Sequence, residues 1–387
     1  MFDTKRPTVR PKFLLLLLVA FVLIGCADGL VGTNNNWPGL SAADGVVYMA
    51  YGNNIVAVDA ESERELWRFP EGNSSAPLLA PPTVDGEIVY AVDYGASQGF
   101  LSPGVLAGVY ALDAGNLSGG VPAELWHNPE VARDRIVAAP LFENGRVYVG
   151  TADNQFVALE ADSGEVIWSQ GLEHGVWGQP AAVDGRIIVT SLDKTVRAYD
   201  ANSGDLLWSE GVGGAIPSRP LVVNGRIYVT GFDSQLHAFD LDGNPLWQVD
   251  ATDWIWNAPA YEDGRLFFAD VDGNAYAVDA ESGDILWEIQ VTGSVEAGLV
   301  AADGVVFVPS VIGVSTGDQT GELLAVSAES GDQMWRKELT YPIFTTPVAA
   351  DGRLVVLFSN TEDNPVELRF YDLDKGNESG VFSPSAE

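Results

Sequence analysis

The chain contains almost no cysteine, since Cys26 is the only one among 387 residues. An intrachain disulfide is therefore excluded, and so is a metal site built from several thiolates. Histidine is nearly as scarce, because only His127, His174 and His237 are present, far apart in the sequence. The sequence also lacks a Ser-His-Asp order, a phosphate-binding loop and an H-E-x-x-H pair, so it carries no recognisable catalytic motif.

The chain also has few positively charged residues. The chain has 20 Lys and Arg residues against 54 Asp and Glu residues, a formal net charge of −34. A surface of this charge repels phosphate backbones, so nucleic acid is not an expected partner. Two interpretations remain open: the acidic surface is simply well solvated and suited to salt, or it steers a basic partner.

Long apolar runs are missing except near the N-terminus. Residues 4–12 are basic, and residues 13–24 (FLLLLLVAFVLI) are apolar but short for a membrane span, which is typical of a secretory signal. Gly25 before Cys26 resembles a bacterial lipobox, and this resemblance implies cleavage before Cys26 and lipid attachment to it. Ordinary signal cleavage beside an incidental cysteine is the alternative.

This N-terminus predicts three parts: a lipoprotein signal peptide over 1–25, a polar tether over 26–36 and a folded domain over 37–387. Several acyl chains on one cysteine give stable membrane anchoring. We therefore expect a secreted, membrane-anchored lipoprotein, on the periplasmic side of an outer membrane or on the cell surface if the cell has none.

The folded part is a tandem repeat of about 40 residues. Each copy has a proline, an Asp-Gly or Asn-Gly turn, two β-rich stretches, a turn of the type D-A-x-S-G-D/E and then a tryptophan. The four clearest copies span 140–168, 180–208, 220–247 and 259–287. Three weaker copies end at Trp67, Trp126 and Trp335. An eighth copy begins at Pro347 and has Gly380-Val381-Phe382 where the other copies have the tryptophan stretch. Asp-Gly and Asn-Gly supply the positive φ of tight hairpins.

Four antiparallel strands every 40 residues are the spacing of a propeller blade. The predicted fold is therefore all-β, an eight-bladed β-propeller of four-stranded antiparallel blades, and we expect it to be monomeric. The seven phased tryptophans are predicted to pack against the next blade rather than to stack on a ligand. Two copies are longer than the others: the copy that ends at Trp126 has insertions at 94–108 and 114–122, and the copy that ends at Trp335 has one at 311–320. These insertions are either loops without a function that the scaffold tolerates or functional loops.

The pattern D-G-x-V-Y-V…A-L-D-A-x-S/T-G-x-x-x-W resembles the PQQ-like (quinoprotein-type) propeller repeat, matched for example from Asp184 to Trp208 and from Asp263 to Trp287. One branch of these proteins comprises PQQ-dependent alcohol dehydrogenases, whose quinone lies under a vicinal disulfide beside Ca²⁺. This chain lacks the second cysteine, and the segment from Asp270 to Asn274 resembles only part of a Ca²⁺ loop and aligns with hairpin turns of sister repeats. PQQ and Ca²⁺ are therefore not expected.

The other branch is the BamB-like group of lipid-anchored propellers that take part in outer-membrane protein assembly. It resembles this chain in anchor, size and number of blades. The resemblance implies a non-enzymatic protein-binding scaffold whose partners are other envelope proteins, including a β-barrel assembly protein. Two other functions stay open: a surface sensor or adhesion propeller that binds a ligand or glycan, and a relative of the PQQ-dependent dehydrogenases.

Residues just before the repeat prolines show where a partner could bind. Four positions before five of these prolines the residues are uniformly β-branched, whereas three positions before them they vary and are often aromatic; the five are Pro140, Pro180, Pro220, Pro259 and Pro347. This segment crosses from the outer strand of one blade to the inner strand of the next, near the mouth of the channel. The candidate partner-binding residues are Trp177, Gln179, Arg219, Trp254, Trp256, Asn257 and Phe344. They form either a site for an extended peptide or a hydrophobic plug.

Overall fold

The computed structural model describes residues 38–72, 76–97, 104–313, 319–359 and 366–384. Every regular element among these residues is a β-strand, and none of them belongs to a helix able to cross a membrane. The strands form eight antiparallel sheets, each built from one continuous stretch of chain. The predicted all-β, eight-bladed propeller is thereby confirmed.

Blade 1 comprises β1 (Gly39–Ala43), β2 (Val46–Tyr51), β3 (Asn54–Asp59) and β4 (Arg64–Phe69), and blade 2 comprises β5 (Thr83–Asp85), β6 (Ile88–Val92), β7 (Ala96–Ser97), β8 (Val105–Ser118) and β9 (Val121–Ala132). Blade 3 comprises β10 (Leu141–Glu143), β11 (Arg146–Gly150), β12 (Gln155–Glu160) and β13 (Val166–Gly171), and blade 4 comprises β14 (Ala181–Val183), β15 (Arg186–Thr190), β16 (Thr195–Asp200) and β17 (Leu206–Gly211). Blade 2 alone has five strands, because the short β7 pairs with the lengthened β8.

Blade 5 comprises β18 (Leu221–Val223), β19 (Arg226–Thr230), β20 (Gln235–Asp240) and β21 (Pro245–Asp250), and blade 6 comprises β22 (Ala260–Glu262), β23 (Arg265–Ala269), β24 (Asn274–Asp279) and β25 (Ile285–Gln290). Blade 7 comprises β26 (Val300–Ala302), β27 (Val305–Ile312), β28 (Thr320–Ser327) and β29 (Gln333–Leu339), and blade 8 comprises β30 (Val348–Ala350), β31 (Arg353–Ser359), β32 (Val366–Asp372) and β33 (Glu378–Phe382).

The first strand of each blade is the innermost one, since first strands of neighbouring blades lie beside each other, as β5 with β10 and β14 with β18. In seven of the eight blades the first and second strands join through two-residue turns in which both residues have positive φ, for example 50° at Asn144 and 76° at Gly145, whereas in blade 2 only Gly86 does. Two consecutive left-handed residues define the type I′ hairpin that suits the right-handed twist of the strands. The Asp-Gly and Asn-Gly signal therefore fixes this turn.

Six of the seven phased tryptophans pack on a turn glycine of the next blade, as the sequence predicts. The indole of Trp208 at the outer strand of blade 4 lies against Gly243 of blade 5, where a Cβ would stand 2.6 Å from the ring. Its Nε1 donates to the Leu241 carbonyl at 2.9 Å. The same packing recurs for Trp126 on Gly164, Trp168 on Gly204, Trp247 on Gly283, Trp287 on Gly331 and Trp335 on Gly376.

At the seam that closes the ring, between blades 8 and 1, a glycine replaces the tryptophan and a glutamate replaces the turn glycine. Gly380 pairs with Phe370 in the register where the other blades carry tryptophan. The opposing turn of blade 1 has Glu63, with φ 58°, in place of the glycine. Its carboxylate fills the space beside Gly380 and accepts a hydrogen bond from Arg353 at 2.8 Å. An ion pair thus replaces the indole where the propeller closes.

Blade 2 departs from the repeat around a buried carboxyl group. Asp93 follows β6, at the start of the 94–108 insertion, of which residues 98–103 lie outside the described part. The backbone N–H of Gly95 donates to Asp93 at 2.9 Å, and His127, stacked on Tyr110 at 3.9 Å between ring centres, has its Nε2 4.0 Å from the carboxylate. Burial raises the pKa of Asp93 to about 6, against hydrogen bonds that lower it.

This raised pKa predicts how stability depends on pH. The native state holds the Asp93 proton more tightly than the unfolded state, so the free energy of unfolding should fall as pH rises from about 4 to about 6. The Asp93→Asn variant is therefore expected to be more stable than the parent by about 2 kcal/mol at pH 7.5, a gain that vanishes near pH 4. Denaturant unfolding of both proteins across this range measures the difference.

Two details make the pH test selective. Burial lowers the pKa of His127, so its contribution has the opposite sign and is lost as pH falls below about 6.5. Both proteins retain His127, and their difference therefore isolates Asp93. Asp113→Asn, on the same blade, is the control because its carboxylate caps an exposed turn at Gly115. A gain that is equally large at pH 4 would contradict the assignment.

Candidate functional site

One face of the propeller carries the segments that vary between repeats. The crossovers from one blade to the next and the turns between second and third strands both lie on this face, because the innermost strand starts where the second strand ends. The turn and the crossover are tied together, for example through the Phe232 N–H, which donates to the Ala215 carbonyl at 3.0 Å. We call this side of the molecule the mouth face.

Phe232 stands at the tip of such a turn in blade 5. The turn is held by Asp233, whose carboxylate accepts the Gly213 N–H at 2.9 Å and lies 2.9 Å from His237 Nε2. Burial acts to raise the pKa of Asp233, but these hydrogen bonds outweigh it and lower the pKa below its ordinary value. Gly214 lets the turn approach, since a Cβ there would lie 2.3 Å from the Asp233 nitrogen.

Phe232 joins two of the predicted tryptophans into one aromatic cluster. Its ring stacks on Trp254 at 5.2 Å and an interplanar angle of 28°, and it meets Trp256 edge-on at 4.7 Å and 74°. All three side chains are partly exposed, while Ile255 between the tryptophans is fully buried. The buried isoleucine fixes the crossover, and the two tryptophans remain on the mouth face. We call these three rings the mouth cluster.

The other predicted aromatics lie apart from this cluster. Trp177 and Phe344 are partly exposed on the crossovers into blades 4 and 8. The Trp177 indole lies near Gly175, where a Cβ would be 3.4 Å from its Nε1. Within the described part of the chain neither ring contacts another aromatic ring. The rim therefore has one tight cluster at blades 5 and 6 and single rings elsewhere.

Two of the predicted polar residues join neighbouring blades. The side chain of Gln179 donates to the Pro140 carbonyl at 2.8 Å, and that of Asn257 donates to the Glu296 carbonyl at 2.8 Å. Thr230 in turn donates to the backbone carbonyl of Asn257 at 2.6 Å. Their amide groups therefore have structural partners inside the ring of blades.

Arg219 behaves differently from these two amides. It is exposed to solvent, but protein atoms surround it closely enough that desolvation lowers the pKa of its guanidinium. Its guanidinium donates no hydrogen bond to a described residue and forms no ion pair with one. It is thus an exposed cation without a described partner, on the crossover into blade 5.

The loop from Asp270 to Asn274 is a turn whose carboxylate is already in use. Asp270 is fully buried and accepts the Thr252 N–H at 3.1 Å and the Asn274 N–H at 2.9 Å. Tyr276 Oη donates to it at 3.3 Å, and no group of described acidic, histidine or cysteine residues has the arrangement of a metal site. These residues therefore do not fit the Ca²⁺ that accompanies PQQ in related dehydrogenases.

Sequence reasoning omitted Phe232 from the candidate site. It aligns with Ala152, Leu192 and Val271 in sister turns, so a comparison of that single position would have shown an isolated aromatic residue. The predicted lipid attachment residue, Cys26, and the tether lie outside the described residues.

Comparisons with solved structures agree on the fold. BamB from Moraxella catarrhalis is 17% identical with a TM-score of 0.65, over 83% of this chain and 93% of that one. The computationally designed Ika8 protein is 17% identical with a TM-score of 0.66, over 88% and 97%. Quinohemoprotein alcohol dehydrogenase from Comamonas testosteroni is 15% identical with a TM-score of 0.62, over 80% and 67%. At such identities the likeness shows the propeller fold alone.

A family comparison is more specific. No curated protein matches the chain significantly. The family model described as outer membrane protein assembly factor BamB, however, matches successive overlapping segments at 32–118, 107–219, 198–255, 211–299 and 292–379. These segments reach every blade of the propeller and end within its last strand, β33. The chain therefore belongs to the family of PQQ-like repeat propellers described as outer membrane protein assembly factor BamB.

Proposed function

We propose that the protein is a lipid-anchored scaffold of the cell envelope that binds other envelope proteins through its mouth face and takes part in outer-membrane protein assembly. The observation that carries this proposal is the mouth cluster, where Phe232, Trp254 and Trp256 expose aromatic surface at positions that the repeat does not require. Aromatic side chains in a polar surround dominate the binding energy of many protein interfaces. The family membership supports the same role.

Binding rather than catalysis suits the groups on this face. The carboxylates there, Asp233 and Asp270, hold backbone N–H groups of the crossovers, and Gln179 and Asn257 bridge blades. These groups are used to position loops. The mouth face thus offers aromatic contact area on a rigid frame, which is what a recognition surface needs.

The described chain begins at the mouth face. Pro38 leads into the innermost strand of blade 1, and its carbonyl accepts a hydrogen bond from Thr345 on the crossover into blade 8 at 2.8 Å. The chain therefore enters the propeller on the mouth face.

Affinity capture from detergent-solubilised envelopes tests the proposed function. The wild-type protein should retain a β-barrel assembly protein of the outer membrane, identified by mass spectrometry. Replacing Trp256 with alanine should reduce the retained amount about tenfold or more, because a central aromatic anchor contributes on the order of 2 kcal/mol or more to binding. Phe232→Ala should act in the same direction, since it removes the ring against which Trp256 packs.

Leu246→Ala is the matched control. Leu246 is an exposed apolar residue of blade 5, but it lies on the outermost strand β21 rather than at the mouth. This variant should retain as much partner as the wild type. Full retention by both mouth variants would refute the role of the mouth face, and capture of partners without any assembly protein would refute the assembly role.

A further inference from the structure

The hairpin that lengthens blade 2 carries a motif that the proposed function does not use. Asn116-Leu117-Ser118 matches N-x-S/T, the sequence at which exported proteins receive N-linked oligosaccharides. The chain contains three such matches, at 73–75, 116–118 and 377–379, and the first of them lies outside the described residues. A motif this short also arises by chance, so the structural setting of each asparagine has to distinguish an acceptor from a coincidence.

The match at 116–118 projects beyond the body of its blade. β8 is the third strand of blade 2, and its last pair with the second strand joins Asp113 to Ile88, just as the third strand of blade 3 ends at Glu160. β8 nevertheless continues over residues 114–118, where its only described strand partner is β9. Every residue over 115–120 is exposed. The motif is therefore presented on a hairpin that extends past the sheet into solvent.

Asn116 lies in an irregular part of this hairpin. The register slips between Asp113 and Leu117, so residues 114–116 of β8 have no residue opposite them on β9. A bulge of this kind redirects the side chains it contains. Gly115 is fixed through its N–H, which donates to the Asp113 carboxylate at 3.0 Å. The backbone beside Asn116 is thus held, while Asn116 itself is exposed and its side chain makes no described hydrogen bond.

Asn377, the other described match, has a structural task instead. Its side-chain nitrogen donates to the Asp372 carboxylate at 3.1 Å, and its carbonyl accepts the Asp372 N–H at 2.9 Å. Asn244 makes the same two contacts with Asp240 in the corresponding turn of blade 5, at 2.8 Å and 3.0 Å. Proline follows Asn244, so that turn carries no N-x-S/T motif. The repeat therefore accounts for asparagine at 377, whereas it does not account for Asn116.

We propose that Asn116 is a site of N-linked glycosylation, with Ser118 as the hydroxyl residue that the transferring enzyme recognises. The donor is an oligosaccharide joined through phosphate to a lipid carrier. The amide nitrogen of Asn116 forms a bond to the anomeric carbon of the first sugar, and the bond from that carbon to the phosphate oxygen breaks. The lipid phosphate leaves with the electron pair, and the amide nitrogen gives one proton to a base of the transferring enzyme. This inference goes beyond the proposed function, since it depends on the predicted export of the chain and not on the mouth face.

A glycan at Asn116 would lie at the end of blade 2 that is remote from the mouth. Turns between second and third strands lie on the mouth face, and the hairpin follows the third strand of its blade, so it lies at the opposite end. Leu117, the middle residue of the motif, is 43% exposed, whereas the other exposed large apolar residues of the described chain all lie on outermost strands. A bulky, soluble sugar beside Leu117 would cover this apolar tip and leave the mouth cluster open.

Peptide mass spectrometry of the protein purified from the envelopes of its own cells tests the inference. Cleavage after glutamate releases residues 88–124, in which Asn116 is the only asparagine. We expect this peptide to carry the added mass of an oligosaccharide, with sugar fragment ions and a fragment series that places the added mass at Asn116. Asn116→Gln and Ser118→Ala should each lose the added mass completely. Ser118→Thr should keep it, because threonine preserves the hydroxyl group of the motif.

Asn377→Gln is the matched control, and residues 88–124 should keep their glycan in this variant. The substituted hairpin residues are exposed, so each variant should fold as the wild type does, which circular dichroism checks. An unmodified peptide in the wild type overturns the inference, and so does an added mass that persists in Ser118→Ala or one found at Asn377 but not at Asn116. None of these results alters the capture of envelope proteins by the mouth variants, so the two proposals fail independently.

Discussion

Replacing Gly380 with tryptophan is expected to destabilise the protein by about 3 kcal/mol, although it restores the residue that the other blades carry. A Cβ at Gly380 would fall 1.9 Å from the Glu63 carboxylate, so the new side chain must displace that group. Displacement also breaks the bond to Arg353, which stacks over the Phe370 ring at 4.8 Å. The cost combines overpacking with an arginine that loses its partner.

The Gly380→Trp, Glu63→Gly double variant is expected to recover most of this loss. Glycine at 63 relieves the strain of a positive φ, 58° at Glu63, and recreates the surface against which the other indoles pack. The double variant should unfold within about 1 kcal/mol of the wild type, less than the sum of the single changes predicts. Guanidinium unfolding of the four proteins gives this coupling, and purely additive effects would show that the seam does not work as a pair.

Gly243→Ala is expected to cost about 3 kcal/mol, from strain at a φ of 85° and from displacement of the Trp208 indole that lies 2.6 Å from the new Cβ. Blade 5 supplies a matched control in Gly225→Ala. Its φ is 71° but nothing lies within 4 Å of the Cβ, so only the strain of about 1 kcal/mol applies. Thermal and denaturant unfolding measure both.

The difference between these two glycine variants isolates the contact between blades. Both residues need a left-handed backbone, but only Gly243 supports a neighbouring indole. A loss of stability that is equal in the two variants would mean that the tryptophan can move aside freely, and that the packing of blade against blade contributes little. A larger loss for Gly243→Ala would also predict similar effects at Gly204 and Gly283, where the same contact recurs.

Local chemistry explains why the fold could be predicted. The Asn144-Gly145 hairpin and its sister turns need only two residues that tolerate positive φ, and the alternation along strands such as β11 needs only one buried face. Ile136 and its equivalents Val176, Ile216, Ile255 and Ile343 are fully buried at their crossovers, a position that β-branched residues suit. The phased tryptophans meet the next blade for the same reason, since a repeat must bury its own exposed face.

The candidate site was predicted only in part. Trp254 and Trp256 meet through Phe232, a residue 22 positions away from the nearer of them, and no local pattern expresses that contact. Gln179 and Asn257 were grouped with the aromatics, but their amides donate to carbonyls of neighbouring blades, each 39 positions away. Whether a polar side chain is free or already bonded depends on its neighbours in space.

The sequence by itself determined the number of blades, their strands and turns, and the surfaces by which one blade packs on the next. These features depend on residues close together in the chain and recur in every copy, so the pattern expresses them repeatedly. Only the tertiary structure decided how the ring closes and what the mouth holds. Glu63 meets Arg353 across 290 positions, where the last blade packs on the first. Such contacts are set by closure of the ring, which no single repeat specifies.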